Sequence, residues 1–339
     1  MPFPIHRGTN ISHWLSQSGR RGAERRAWFT EADVRRLADL GFDHLRLPID
    51  EEQMWDESGG RNAEAFDLLD AALDWAETAG LRAIVDLHIL RSHYFNDRNE
   101  PRLYREPAEA ARFCDLWRDL AQRLHPRSTD RVAYELLNEA VARDPADWNR
   151  VAMAALEAVR EREPERAVVL GSNRFGSCDT FDDLAVPEDP NVILTFHYYR
   201  PMLITHYRAS WWEGGVYEGP IRYPGLQVAP EDIAPLPPEL RAKMTQWNTP
   251  FSRERIVADL AKPLAVRQRT GRPLYCGEFG VRTIVPLEIR RAWTRDIVST
   301  FEAHGIGWAT WDYKGAFGLV AEDGRETGIT DVLLGRRAT

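Results

Sequence analysis

Several things that commonly mark a protein's class are missing from this sequence. There are three cysteines, Cys114, Cys178 and Cys276, an odd number set far apart. That excludes a disulfide framework and a Cys-x-x-Cys metal site, and leaves reduced structural thiols as the expectation. No run of ~18 apolar residues occurs, so no membrane-spanning helix is expected. Nor does an apolar segment open the chain between Met1 and Thr9. As given the chain reads as cytoplasmic, although a secreted protein stripped of its leader reads the same. Lys and Arg number 44 against 52 Asp and Glu, a net charge of −8 with no basic block. This argues against nucleic acid or a membrane surface as partner. No glycine-rich phosphate loop follows an early strand, as an open dinucleotide-binding sheet would want. No repeat or low-complexity linker divides the 339 residues, so a single domain over residues 1–339 is expected.

What is present is alternation. Short apolar, β-branched runs occur at residues 5–11, 42–47, 81–87, 131–137, 167–170, 192–196, 274–276 and 306–310. Between them lie stretches of helical period at 30–40, 63–79, 107–124, 145–162, 252–270 and 287–303. Thr30-Glu31-Ala32-Asp33 reads as a capping box, and Gly41 and Gly80 stand where a left-handed residue ends a helix. Eight strands alternating with helices imply an α/β fold with a parallel sheet closed into a (β/α)8 barrel. The segment 201–250, rich in Trp, Tyr, Pro and Gly, is expected to form a long loop after the sixth strand or a small subdomain.

Polar groups gather at the strand ends, which is where barrel enzymes carry catalytic residues. The second strand ends at Arg46, the third at Asp86-Leu87-His88, the fourth at Asn138-Glu139, the sixth at His197-Tyr198-Tyr199, the seventh at Glu278 and the eighth at Trp311-Asp312-Tyr313-Lys314. Burying so many polar groups without a use is costly. Glu139 and Glu278, from strands roughly opposite each other, form a pair suited to retaining glycoside hydrolysis. Glu278 would attack the anomeric carbon, kept ionised by Arg46 and by the Tyr199 hydroxyl. Glu139 would be the acid and base, its pKa raised by burial and by Glu278. Asn138 is suited to bond the sugar 2-hydroxyl, and Trp311 to lie flat against a pyranose ring. No cofactor or metal is required by this chemistry.

Taken in order, these positions resemble family 5 of the glycoside hydrolases, the cellulase family. The family's Arg is matched in His44-Leu45-Arg46-Leu47-Pro48, its His by His88, its Asn-Glu by Asn138-Glu139, its His-x-Tyr by His197-Tyr198-Tyr199, its nucleophile by Glu278 and its Trp by Trp311. The resemblance runs along almost the whole chain and implies hydrolysis of a β-linked glucan, with endo-β-1,4-glucanase first and an exo-glucanase, β-glucosidase or mannanase as alternatives. One departure stands out. The family often follows the His with a second His and a Pro-Gly turn, whereas Ile89, Leu90, Arg91 and Ser92 follow here.

Further sugar subsites are sought among His93, Tyr94, Trp211, Trp212 and Lys314, with Tyr217, Tyr223 and Trp247 equally able to form a small core within the long loop. Two readings from other classes compete. A non-catalytic carbohydrate-binding barrel would have lost one of the two glutamates. A metal-dependent barrel hydrolase wants His-x-His after the first strand, where Asn10-Ile11-Ser12-His13 offers one His.

Overall fold

The computed structural model describes residues 3–336, so Met1 and Pro2 of the leader question lie outside it. The chain falls into two compact units. The first holds the chain up to His197, with Lys262–Glu278 and Ile306–Ala309; the second holds Tyr198–Ala261, Phe279–Gly305 and the chain from Thr310. No helix among the described residues is long and apolar enough to cross a membrane.

A closed eight-stranded barrel runs in chain order through β1 (Arg7–Asn10), β2 (His44–Asp50), β3 (Arg82–Ile89), β4 (Val132–Glu135), β5 (Val168–Gly171), β6 (Val192–Tyr198), β7 (Leu274–Phe279) and β8 (Gly307–Thr310). All but the last residue of β6, β7 and β8 belong to the first unit. The strands are short and buried on both faces, as parallel strands wrapped by helices must be. Register runs Asn10 to Arg46, Arg46 to Ile84, and Asp86 to Glu135, and the ring closes where the Trp308 N–H donates to the His6 carbonyl at 2.9 Å. Phe3, Ile5, Ile84, Ala133, Ala167, Val169, Ile193, Tyr275 and Ala309 form one buried apolar cluster. On β2, β3 and β4 the same inward parity that carries Ile84 and Ala133 carries Asp86 and Glu135 two residues later.

The long helices stand where the periodicity puts them: Glu31–Asp39, Ala63–Thr78, Pro107–Leu124, Pro145–Arg160 and Leu287–Ala303. The Thr30 N–H donates to Asp33 at 2.9 Å, closing the expected box, and Gly41 and Gly80 have φ of 87° and 76°. The sequence predicts one helix over 252–270, but two form, Arg253–Asp259 and Ala261–Thr270. Pro263 has no N–H for the Asp259 carbonyl, so the ladder breaks there. In the second unit the segment expected as a loop carries short helices at Met202–Thr205, Pro230–Ile233 and Pro238–Trp247. Its aromatic residues partly make its own core: Trp212 and Trp247 lie 5.2 Å apart, and the Tyr223 hydroxyl donates to Asp296 at 2.7 Å.

Candidate active site

Arg46 is wholly buried on β2. An unpaired guanidinium would be costly to bury there, and this one is met on every side. Its Nε and Nη2 donate to the two oxygens of Glu135 at 2.8 and 2.9 Å. Its Nη1 donates to Glu278 Oε1 at 2.7 Å and to Asn10 Oδ1 at 2.8 Å. Its Nη2 also reaches Asn138 Oδ1 at 2.9 Å and Asp86 Oδ2 at 3.0 Å. Burial alone would lower its pKa, but Asp86, Glu135 and Glu278 together drive it well above the usual value. Beyond the Arg46–Glu278 pair expected from the sequence, Arg46 also meets Glu135, a carboxylate on the inward parity of an otherwise apolar strand.

Above this layer the two expected glutamates approach each other. His197 Nδ1 lies 2.9 Å from Glu139 Oε1 and 3.6 Å from Glu278 Oε2, and one oxygen of each carboxylate and this nitrogen all fall within 4.8 Å of one another. Burial pushes the Glu139 carboxyl up to about 8, with Asp86 and Glu135 adding to the shift against the pull of Arg46. Burial also raises Glu278, while His197 and Arg46 draw it back. The two residues therefore sit in unequal fields: the cation bonds Glu278 directly and reaches Glu139 only at a distance. Burial lowers the His197 imidazole, favouring its neutral form. This trio of ligand atoms could hold a divalent cation, but the Arg46 guanidinium 2.7 Å from Glu278 already supplies positive charge and weakens that set for another.

Glu139 has φ of 43°, a left-handed backbone that a non-glycine residue adopts at a cost and that clusters at functional sites. Its neighbour Asn138 spends its carbonyl oxygen on Arg46, while its Nδ2, a buried donor, has no partner among the described residues. Such a group is expensive to leave unmade, and a hydroxyl oxygen would satisfy it.

His88 is held from both sides. Its Nδ1 faces Asp86 Oδ2 at 2.7 Å, and the Gln17 amide meets its Nε2 at 2.8 Å. Gln17 is itself fixed with φ of 50° and its N–H on Asp50 at 2.7 Å. Neither Gln17 nor Asp50 was singled out from the sequence. The Phe95 ring stands edge-on to His88 at 5.6 Å and carries Tyr94, which is 38% exposed, at 5.1 Å. His93, expected to edge the cleft, has both ring nitrogens buried and rests on Tyr104. The departure at residues 89–92 also finds its reason. Leu90 and His93 close a tight turn on each other's backbone, and Arg91 is pinned to buried Glu51 by its N–H at 2.9 Å and its guanidinium at 3.1 Å.

On β7, Gly277 precedes the nucleophile candidate. Its N–H donates to Thr195 Oγ1 at 3.1 Å and its carbonyl accepts from Asn10 at 3.0 Å. A Cβ there would stand 2.9 Å from Thr195 Oγ1 and 3.1 Å from His197 Nε2, so a side chain does not fit without displacement.

The first unit thus brings together Arg46, His88, Asn138, Glu139, His197 and Glu278. Tyr199, Trp211, Trp212, Trp311 and Lys314 belong to the second unit. There Tyr199 lies edge-on to His206 at 5.1 Å and Phe317 at 6.0 Å. Trp311 is 8% exposed and donates its N–H to Phe279 at 2.8 Å. Trp211 is 54% exposed beneath the Arg282 guanidinium, and Lys314 Nζ stands over the Tyr313 ring at 5.2 Å.

Comparison with known proteins finds a family match. The family described as Cellulase (glycosyl hydrolase family 5) matches residues 7–317. Endoglucanase C of Acetivibrio thermocellus is 33% identical over 311 residues, covering 91% of this chain and 90% of that protein. Cellodextrinase A of Ruminococcus flavefaciens is 29% identical, covering 89% and 83%. Among solved structures, Cel5A of Thermotoga maritima in complex with cellobiose superposes with a TM-score of 0.78 at 23% identity, covering 97% of each chain.

Proposed function

The chain belongs to the cellulase family, family 5 of the glycosyl hydrolases, and is a glycoside hydrolase; from that premise we propose that it is a retaining endo-β-1,4-glucanase with Glu278 as nucleophile and Glu139 as acid and base. The observation that carries this reading is that the two carboxylates converge: one oxygen of each and a ring nitrogen of His197 fall within 4.8 Å of one another, which brings both to the same reacting centre, as attack by one and proton transfer by the other require. We take the chain as one catalytic domain, since the family match over residues 7–317 runs through both units.

In the first step Glu278 bonds to the anomeric carbon as the glycosidic bond breaks, and the Glu139 proton passes to the departing oxygen. In the second, Glu139 takes a proton from water, whose oxygen displaces Glu278. Arg46 holds Glu278 Oε1 throughout, and the unspent Asn138 Nδ2 donates to the sugar 2-hydroxyl. His88 and His197 line the sugar site, with Tyr94 at its edge. The β-1,4-glucan assignment draws on relatives named endoglucanase and cellodextrinase. Product lengths from cellohexaose separate endo from exo action, because internal cuts yield mixed intermediate lengths from the start.

Stereochemistry tests the mechanism. Proton NMR of the first products should show the β-anomer appearing first and mutarotating later; α-anomer first would end the reading. A pH profile tests the acid. Glu139 must carry its proton to act, and its pKa stands at about 8. The rate constant kcat/KM is therefore expected to fall as pH rises through about 8, and to fall on the acid side where Glu278 takes up a proton. These limbs belong to the coupled pair rather than to either group alone. An alkaline limb that stays flat to pH 10 would remove Glu139 from the role.

A further inference from the structure

The sequence assigned nothing to the rim after β5. Yet Asn173–Gly176, which follows it, has a backbone seldom seen in L-residues: Arg174 has φ 57° and ψ 61°, Phe175 φ 63° and ψ 35°, and Gly176 φ 64°. Left-handed geometry is costly for a non-glycine residue, and it persists where surrounding contacts over-determine it. Here those contacts lead to the acid/base loop. The Asn173 side chain, itself buried, brackets the backbone of one residue as a second strand would. Its Nδ2 donates to the Ala142 carbonyl at 2.9 Å, and its Oδ1 accepts from the Ala142 N–H at 2.9 Å. The Phe175 N–H donates to the Ala140 carbonyl at 3.1 Å. From the other side the Tyr104 hydroxyl accepts from the Val141 N–H at 3.1 Å. Gly176 packs on His197 so closely that a Cβ would lie 3.2 Å from its backbone nitrogen.

Residues 140, 141 and 142 are thus each tied by a backbone hydrogen bond to a group outside their own loop, directly after Glu139 with its φ of 43°. We propose that Asn173 is a positioning residue for the acid/base: its two-point clamp on Ala142, backed by Tyr104 and the left-handed turn, holds Glu139 in its left-handed backbone and aims its carboxyl at the leaving oxygen. This rests on the assignment of Glu139 as acid and base. A released loop would let the carboxyl drift, and a shift near 1 Å costs ~10²-fold in rate. The loss would fall on substrates that need the proton.

The experiment compares kcat/KM for 2,4-dinitrophenyl β-cellobioside, whose leaving group departs unprotonated, with that for phenyl β-cellobioside. Asn173→Ala and Asn173→Asp are expected to lose ~10–100-fold on the phenyl substrate and less than ~3-fold on the dinitrophenyl one. Asn173→Asp keeps the acceptor for Ala142 N–H and is the variant to use if the alanine fails to fold. Tyr104→Phe, which leaves Asn173 in place and removes the Val141 acceptor, is expected to show the same selectivity at smaller size. Thermal melts establish that each variant is folded. Equal losses on both substrates, or no loss on either, would overturn the clamp. Glu139→Ala is the reference: if it too lacks leaving-group selectivity, the assignment of the acid falls; if it alone shows it, only the role of Asn173 falls.

Discussion

Glu278→Ala is expected to lower kcat on a soluble β-glucan by on the order of 10⁴-fold or more, because no other group replaces the bond it forms. The backbone should tolerate the change. Glu278 is the penultimate residue of a buried strand, and its removal takes one carboxylate from a layer where Asp86 and Glu135 also face Arg46. The diagnostic arm is azide. With the carboxylate gone, azide enters the vacated space on the same face and attacks an activated aryl β-glycoside, giving an α-glycosyl azide in which configuration is inverted once. The wild type inverts twice and retains. Recovery of turnover with azide, and an α product by NMR, is the expected result. A Glu278→Ala enzyme that keeps ordinary activity would show that another group carries the bond.

Arg46→Ala is expected to cost both folding and function. Its guanidinium faces Asp86, Glu135 and Glu278 with no exposure to water. Removing it leaves those carboxylates buried without a cation, which typically destabilises by ~3–5 kcal/mol. Urea unfolding at pH 7 should read this as a lower midpoint. The deficit should narrow as pH falls, because protonation relieves carboxylates whose pKa has risen once the cation is gone. Arg46→Lys should recover part of the loss at pH 7. A lysine brings the charge but cannot span six acceptor oxygens with a planar fork. Activity of either variant should drop by at least ~10²-fold, since Glu278 loses the donor that orients it. An unchanged urea midpoint for the alanine variant would contradict the account of this layer.

The barrel could be read in the sequence because each strand is a short apolar run and each long helix repeats its apolar face. Arg46, Asn138, Glu139, His197 and Glu278 were visible for a related reason: they are polar groups set at the ends of apolar runs. Other features depend on distance in space. Arg91 meets Glu51 forty residues away, and nothing local to either announces the pair. Glu135 falls within the apolar run 131–137 rather than past its end, so it carries no strand-end signal. The helix Gly22–Trp28 spans two turns and shows too little period to be found. Arg174 and Phe175 are not residues that signal a left-handed turn, so the support behind Glu139 had no local mark. The break at Leu260 follows from Pro263, which lies within a periodicity that by itself predicts one continuous helix.

Gly277 bears on any attempt to redirect this catalyst. Its peptide touches Thr195, Asn10 and the space of His197, so randomising that codon would mostly return misfolded or silent clones. A library aimed at new specificity gains more from Tyr94, proposed for the edge of the site, whose side chain already faces solvent and has volume to trade.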